Sequence, residues 1–71
     1  MYTKDLLGKE VLDVNANKIG KAVDIDVDLF KGVVNHFIVK AGLTKKLVID
    51  LDKIDKIGDK IILKVRNDDL E

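Results

Sequence analysis

Residues 7–39 read LGKEVLDVNANKIGKAVDIDVDLFKGVVNHFIV, and this stretch decides the fold. Glu10 to Val14 reads as a first strand, and Asn15-Ala16-Asn17-Lys18 as a tight turn in which Asn17 takes a positive φ. From Ile19 the chain runs on as a long second strand. Within it Val23, Ile25, Val27 and Leu29 fall on one face, while Asp24, Asp26 and Asp28 fall on the other. A period of two is the signature of a half-buried strand. Gly20 marks a bulge or tight bend of the kind that small barrels use at their corners. Lys31-Gly32 turns the chain again. Val33 to Lys40 is apolar on both sides, as in a central strand covered on each face.

The flanking segments supply shorter pieces. Residues 3–8 form one helical turn with Thr3 as its cap and Gly8 as its stop, which makes Leu6 and Leu7 a plug for one end of a barrel. Ala41 to Lys45 is a loop and Lys46 to Asp50 a fourth strand. Leu51 to Ile54 makes a short turn or a single 3₁₀ turn before a brief strand, Asp55 to Ile57. Gly58-Asp59 then reads as a two-residue, glycine-first hairpin leading into Lys60–Val65. Residues 67–71 are an acidic, frayed tail. The result is an all-β fold, a small barrel of about six strands with short helical turns.

A chain of 71 residues holds one domain, with its core within about residues 5–65. Domains of this size net only ~3–5 kcal/mol from their core. There is no cysteine, which excludes disulfides, thiolate metal sites and cysteine nucleophiles. Nine Val, eight Ile and nine Leu against three aromatic residues suit a pleated surface. Thirteen basic and thirteen acidic residues cancel, whereas a general nucleic-acid binder carries a clustered basic patch. The expectation is therefore no direct nucleic-acid contact. No run approaches the ~20 apolar residues of a membrane span, and no basic-then-apolar leader opens the chain, so a cytoplasmic protein without membrane insertion is expected.

Asp24-x-Asp26-x-Asp28 is the most tempting chemical constellation. It fails the calcium-loop template, which needs Gly at the sixth position and Glu at the twelfth, where Leu29 and Asn35 stand. Same-face residues of a strand are also ~6.5 Å apart, too spread for three carboxylates to reach one ion at ~2.4 Å. The row reads as a solvated acidic face paired with Lys21, Lys31 or Lys40, or as a patch turned to a partner. His36, the single histidine, has two threonines and neither serine nor cysteine to activate in the whole chain. Gly8, Gly20, Gly32, Gly42 and Gly58 are too dispersed to cradle a phosphate. The lysines from Lys45 to Lys64 interleave with Asp50, Asp52, Asp55 and Asp59. No catalytic, cofactor or metal residue emerges, and the chain reads as a non-enzyme. Phe30, Val34, His36 and Ile62, with Asp24, Asp26 and Asp28, are the interface candidates. Strands apolar on both faces (Val33/Val34, Leu47/Val48/Ile49, Ile61/Ile62) need outside cover, and a second copy, giving a homodimer, is the simplest cover.

The order Gly8-Lys9-Glu10-Val11, a polar turn, Ile19-Gly20 four residues before Asp24, a long alternating strand, Gly32 and an apolar strand resembles the PRC-barrel family. These small all-β domains occur in the photosynthetic reaction-centre H subunit, in ribosome-maturation factors of the RimM type and as short archaeal proteins. Residues 50–59 resemble the family's second half, where a polar corner precedes Ile-x-x-Ile-Gly-Asp, here Ile54 to Asp59, although Leu51 stands where Pro is common. The resemblance implies a PRC-barrel-like fold and a protein–protein interaction or adaptor role. Its archaeal members include some associated with cell division, which makes cell-division proteins the implied partners. The alternative it implies is a ribosome or RNA-processing accessory factor of the RimM C-terminal-domain type.

Overall fold

The computed structural model describes residues 2–70. A helical turn, α1 (Thr3–Leu6), precedes β1 (Glu10–Leu12), β2 (Lys18–Asp28), β3 (Val33–Ala41) and β4 (Lys45–Asp50). A 3₁₀ turn at Leu51–Lys53 leads to β5 (Ile54–Ile57) and β6 (Ile61–Leu63), and a second 3₁₀ turn spans Asn67–Leu70. The six strands form one sheet in the order β4-β3-β2-β1-β6-β5. All neighbours are antiparallel except β1 and β6, which run parallel. β4 and β5 are the two edges, joined by the Leu51–Lys53 turn, so the barrel is wrapped without being hydrogen-bonded shut.

The wrap follows from where the apolar residues land. Leu6, Val11, Ile19, Ala22, Phe37, Val39, Ile49, Ile61 and Leu63 are buried together, drawn from α1 and five of the strands. A flat sheet cannot bring residues from so many strands to one cluster. The bending comes from extra residues: Ile19 and Val23 in β2, Asn35 in β3 and Asp55 in β5 each stand where the ladder slips by one. Such bulges bend the strand and sharpen its twist. Gly20 lies at the tightest approach. A Cβ there would sit 2.2 Å from the Lys40 carbonyl oxygen, so Gly20 lets β2 and β3 close up in a way no side chain permits.

The bulges also correct the strict alternation expected of β2. Ala22 is buried and pairs with Val39, and Ile25 pairs with Phe37, but the extra residue Val23 is exposed. Val23 thus joins the Asp24 side, because two residues at a bulge share one face. Leu29 leaves the apolar face altogether and is 85% exposed, since β2 ends at Asp28. Ile61 and Leu63 are fully buried while Ile62, between them, is half-buried on the other side. Leu47, Val48 and Ile49 divide the same way, with Val48 turned out. At its first residues β3 is uncovered on both faces within one chain: Val33 and Val34 are consecutive, so they point to opposite sides, and both are exposed.

Several local expectations change, each with a physical reason. α1 is capped from Tyr2, which donates its N–H to the Asp5 carboxylate at 2.9 Å, so Thr3 is inside the helical turn. Leu6 is the plug, and Leu7 is exposed because the chain there is already extended. In the 15–18 turn Ala16 carries the positive φ, at 66°. Asn17 is held instead by Asp13, through its backbone N–H at 2.8 Å and its amide at 3.3 Å. The β5–β6 connection takes three residues, Gly58 to Lys60, and Gly58 does not adopt the positive φ of a glycine-first hairpin. The tail is not frayed across its described part. Asn67 donates its N–H to Asp13 at 3.0 Å, and Leu70 packs against the core. Glu71, the end of that expected tail, lies outside the described residues.

Candidate functional site

Asp24, Asp26 and Asp28 do not act as a row. Asp24 accepts the N–H of Ile25 at 2.8 Å, Asp26 meets the His36 ring, and Asp28 closes the β2–β3 turn by accepting the N–H groups of Phe30 and Lys31, each at 3.0 Å. Gly32 completes that turn with a positive φ of 68° and an N–H bond to the Asp28 carbonyl at 2.8 Å. The carboxylates are dispersed to three different tasks, and none of the ammonium groups of Lys21, Lys31 and Lys40 is their partner. His36 is the centre of a second arrangement. Its Nδ1 lies 3.2 Å from Asp26 on β2 and its Nε2 lies 3.2 Å from Asp50 on β4. Both ring nitrogens are occupied, so the ring ties three adjacent strands together.

The turn that Asp28 builds holds Phe30 fully in solvent beside Leu29. From this tip an apolar track runs back along the sheet. Val27 is paired with Val34, and Val34 with Ile25 lines a groove of about 260 Å³ whose other walls are the cap residue Tyr2, Thr3 and Leu6 of α1, Leu51, and Ile54 and Ile57 of β5. The groove lies between α1, the inner side of β2 and β3, and β5 with the turn before it. Its lining is almost wholly apolar, and Tyr2 at its rim is 74% exposed.

The opposite side of β2, β3 and β4 is charged. The ladder sets Lys21, Lys40 and Lys46 side by side in one row, Asp24, Ile38 and Val48 in the next, and Asp26, His36 and Asp50 in the third. Glu10, across from Lys21, is taken up by Lys60 at 3.2 Å and Lys18 at 3.5 Å. The hydrogen bond from Lys60, reinforced by the charges of Lys60 and Lys18, holds the Glu10 carboxyl below its ordinary range against the opposing effect of burial.

Of the interface candidates, Phe30 and Val34 share the apolar track, while Asp24, Asp26 and His36 share the charged face. Asp28 is part of the turn scaffold. Ile62 stands apart on β6, beside Leu12 and Lys56. Sequence reasoning missed Tyr2, Leu51, Ile54 and Ile57 as groove residues, because Tyr2 and the 51–57 segment come from opposite halves of the chain and only the wrap joins them. It also missed the lysine row, whose members come from three strands and meet only through register.

Among the described residues, no cluster of three or more His, Cys, Asp or Glu is arranged to hold a metal, and no helix is long and apolar enough to cross a membrane. No match is found among curated proteins. A family model described as the PRC-barrel domain matches residues 1–70, essentially the whole chain. That domain is a protein-interaction module without catalytic activity of its own. With the glycine and apolar spacings of the sequence, the wrapped six-stranded sheet and the family match all in agreement, this chain belongs to the PRC-barrel domain family.

Proposed function

We propose that this chain is a non-enzymatic adaptor that docks an amphipathic segment of another protein along the track from Phe30 through Val27 and Val34 into the groove beside α1. The observation that carries this reading is the continuity of exposed apolar surface from a hydrogen-bonded turn to a preformed groove. A large aromatic ring held fully in water adds nothing to the fold, so its presence on a well-bonded turn serves contact with something else. The groove has almost no polar lining, which suits apolar side chains and offers nothing to a charged metabolite. Cell-division proteins are the partners that the family resemblance suggests, with a ribosome or RNA-processing accessory role as the alternative; the absence of net charge counts against direct RNA contact.

Affinity purification from the native host, with and without RNase, tests the reading. A protein partner that survives RNase and is lost from Phe30→Ser and Val34→Asp variants of unchanged helix and strand content supports it. Recovery only of ribosomal or RNA-processing proteins, all lost with RNase, overturns it in favour of the ribosome-accessory role.

A further inference from the structure

The three rows on the outer side of β2, β3 and β4 form a pattern that the docking track does not use. Passing down the strands, the first row is wholly basic (Lys21, Lys40, Lys46), the middle row is largely apolar (Asp24, Ile38, Val48), and the third is acidic around a histidine (Asp26, His36, Asp50). Val48 is 64% exposed, and Val23, next to Asp24 at the bulge, is also exposed. None of the three lysines has a carboxylate within ion-pair distance among the described residues. The face therefore carries three unpaired positive charges at one end, apolar side chains across the middle, and a band of carboxylates at the other end.

We propose that this face takes a second copy of this chain, related by a two-fold axis that lies along the Asp24–Ile38–Val48 row. Two sheets packed face to face through a two-fold can use an axis along the strands or one across them. An axis along the strands sets lysine row against lysine row. An axis across them, along the middle row, turns the partner's acidic row onto the lysine row and packs the apolar middle rows on each other. Lys21 then meets Asp26 of the other copy and Lys46 meets Asp50, while Lys40 lands between the two carboxylates that flank His36. Each contact occurs twice by symmetry, so the surface is complementary to itself. Aligned packing of this kind suits two twisted sheets. Nine residues cover less than the ~800 Å² per partner of a standard interface, so the dimer is a weak one that salt dissociates. The same axis sets Asp24 opposite its own copy, a repulsive contact on the axis itself.

Sedimentation velocity over a concentration series, at low and high salt, tests the proposal on the full chain. Lys46→Glu and Asp50→Lys each reverse two contacts at once, and each raises the dimer dissociation constant by about 100-fold or more while leaving the thermal melt cooperative. An equimolar mixture of the two variants restores association, because the new carboxylate at position 46 of one then faces the new ammonium at position 50 of the other. Asp24→Asn, which removes the repulsive contact, tightens the dimer. A chain that stays monomeric at every concentration in low salt overturns the proposal. So does a dimer indifferent to both reversals, or a mixture that does not recover. These outcomes are independent of the groove, since none of these residues lines it.

Discussion

Asp13 follows β1 and Asp28 ends β2, and each turns one carboxylate oxygen back onto two N–H groups of the turn that comes next. The local chemistry is the same, and the outcomes are opposite. Asp13 is 1% exposed, and its second oxygen reaches 54 residues along the chain to bond the N–H of Asn67 at 3.0 Å. Among the described residues the side chain of Asp28 bonds only within its own turn, and what that turn carries is Phe30, in water. One turn closes the molecule and the other presents a surface. What separates them is the residues that follow: the Asn17 side-chain amide supplies a further donor to Asp13, whereas Leu29 and Phe30 supply only apolar area.

The largest break in this comparison is expected from Asp13→Ala. It leaves the N–H groups of Asn15, Asn17 and Asn67 without their acceptor in a part-buried site and frees the last 3₁₀ turn, so the thermal melt falls further than for any other substitution of a polar residue. An unchanged melting temperature contradicts the role given to Asp13.

Acid comes next. Burial pushes the Asp13 carboxyl upward, but the N–H groups of Asn67 and Asn17, the Asn17 amide and the Asn15 N–H outweigh it, and the group ends below its ordinary value of 3.8. A carboxylate depressed in the folded state contributes stability that is present above the unfolded value and is lost as the pH falls through the folded one. Stability therefore declines on acidification below about pH 4, the range of an unfolded aspartate. Asp13→Asn flattens that decline, which denaturant melts at a series of pH values report. An equally steep decline in the variant assigns the acid sensitivity elsewhere.

Asp28→Ala tests the presenting turn. It removes two exposed hydrogen bonds at a net cost of about 1 kcal/mol, which lowers the melting temperature by roughly 4–8 °C in a domain of this size. The smallest stability effect belongs to Phe30→Ser, within about 0.5 kcal/mol by denaturant titration, because the ring touches nothing it would lose. A larger loss there shows that Phe30 packs within the chain and is not displayed.

Six strands and their rough bounds were legible because Val, Ile and Leu recur with period two and the turns carry Asn, Lys-Gly and Gly-Asp. Faces were legible only up to the first bulge. Val23 follows the alternation in sequence and departs from it in space, since nothing in a single strand announces where its neighbour will skip a residue. Asp13 gave no signal at all: one more acidic residue beside a turn, its burial is decided by Asn67. The candidate site divides along the same line. Phe30 was named from the sequence as an interface candidate, and its exposure follows from the turn that Asp28 builds. The groove that joins Tyr2 to Ile57, and the lysine row, required the register of strands far apart in the chain.

The parallel pairing of β1 with β6 has a consequence for synthesis. Val11 is buried against Ile61, and the Asp13 turn is complete only when Asn67 arrives. A chain emerging from the ribosome forms the β2–β3–β4 meander early, from contacts local in sequence. β1, made before the other strands, waits with one edge unpaired and its inner face open until β6 and the turn after it have been added. Vectorial growth therefore gives this domain no folded intermediate with a finished core, and the step that seals it begins only after translation of residues 61–67.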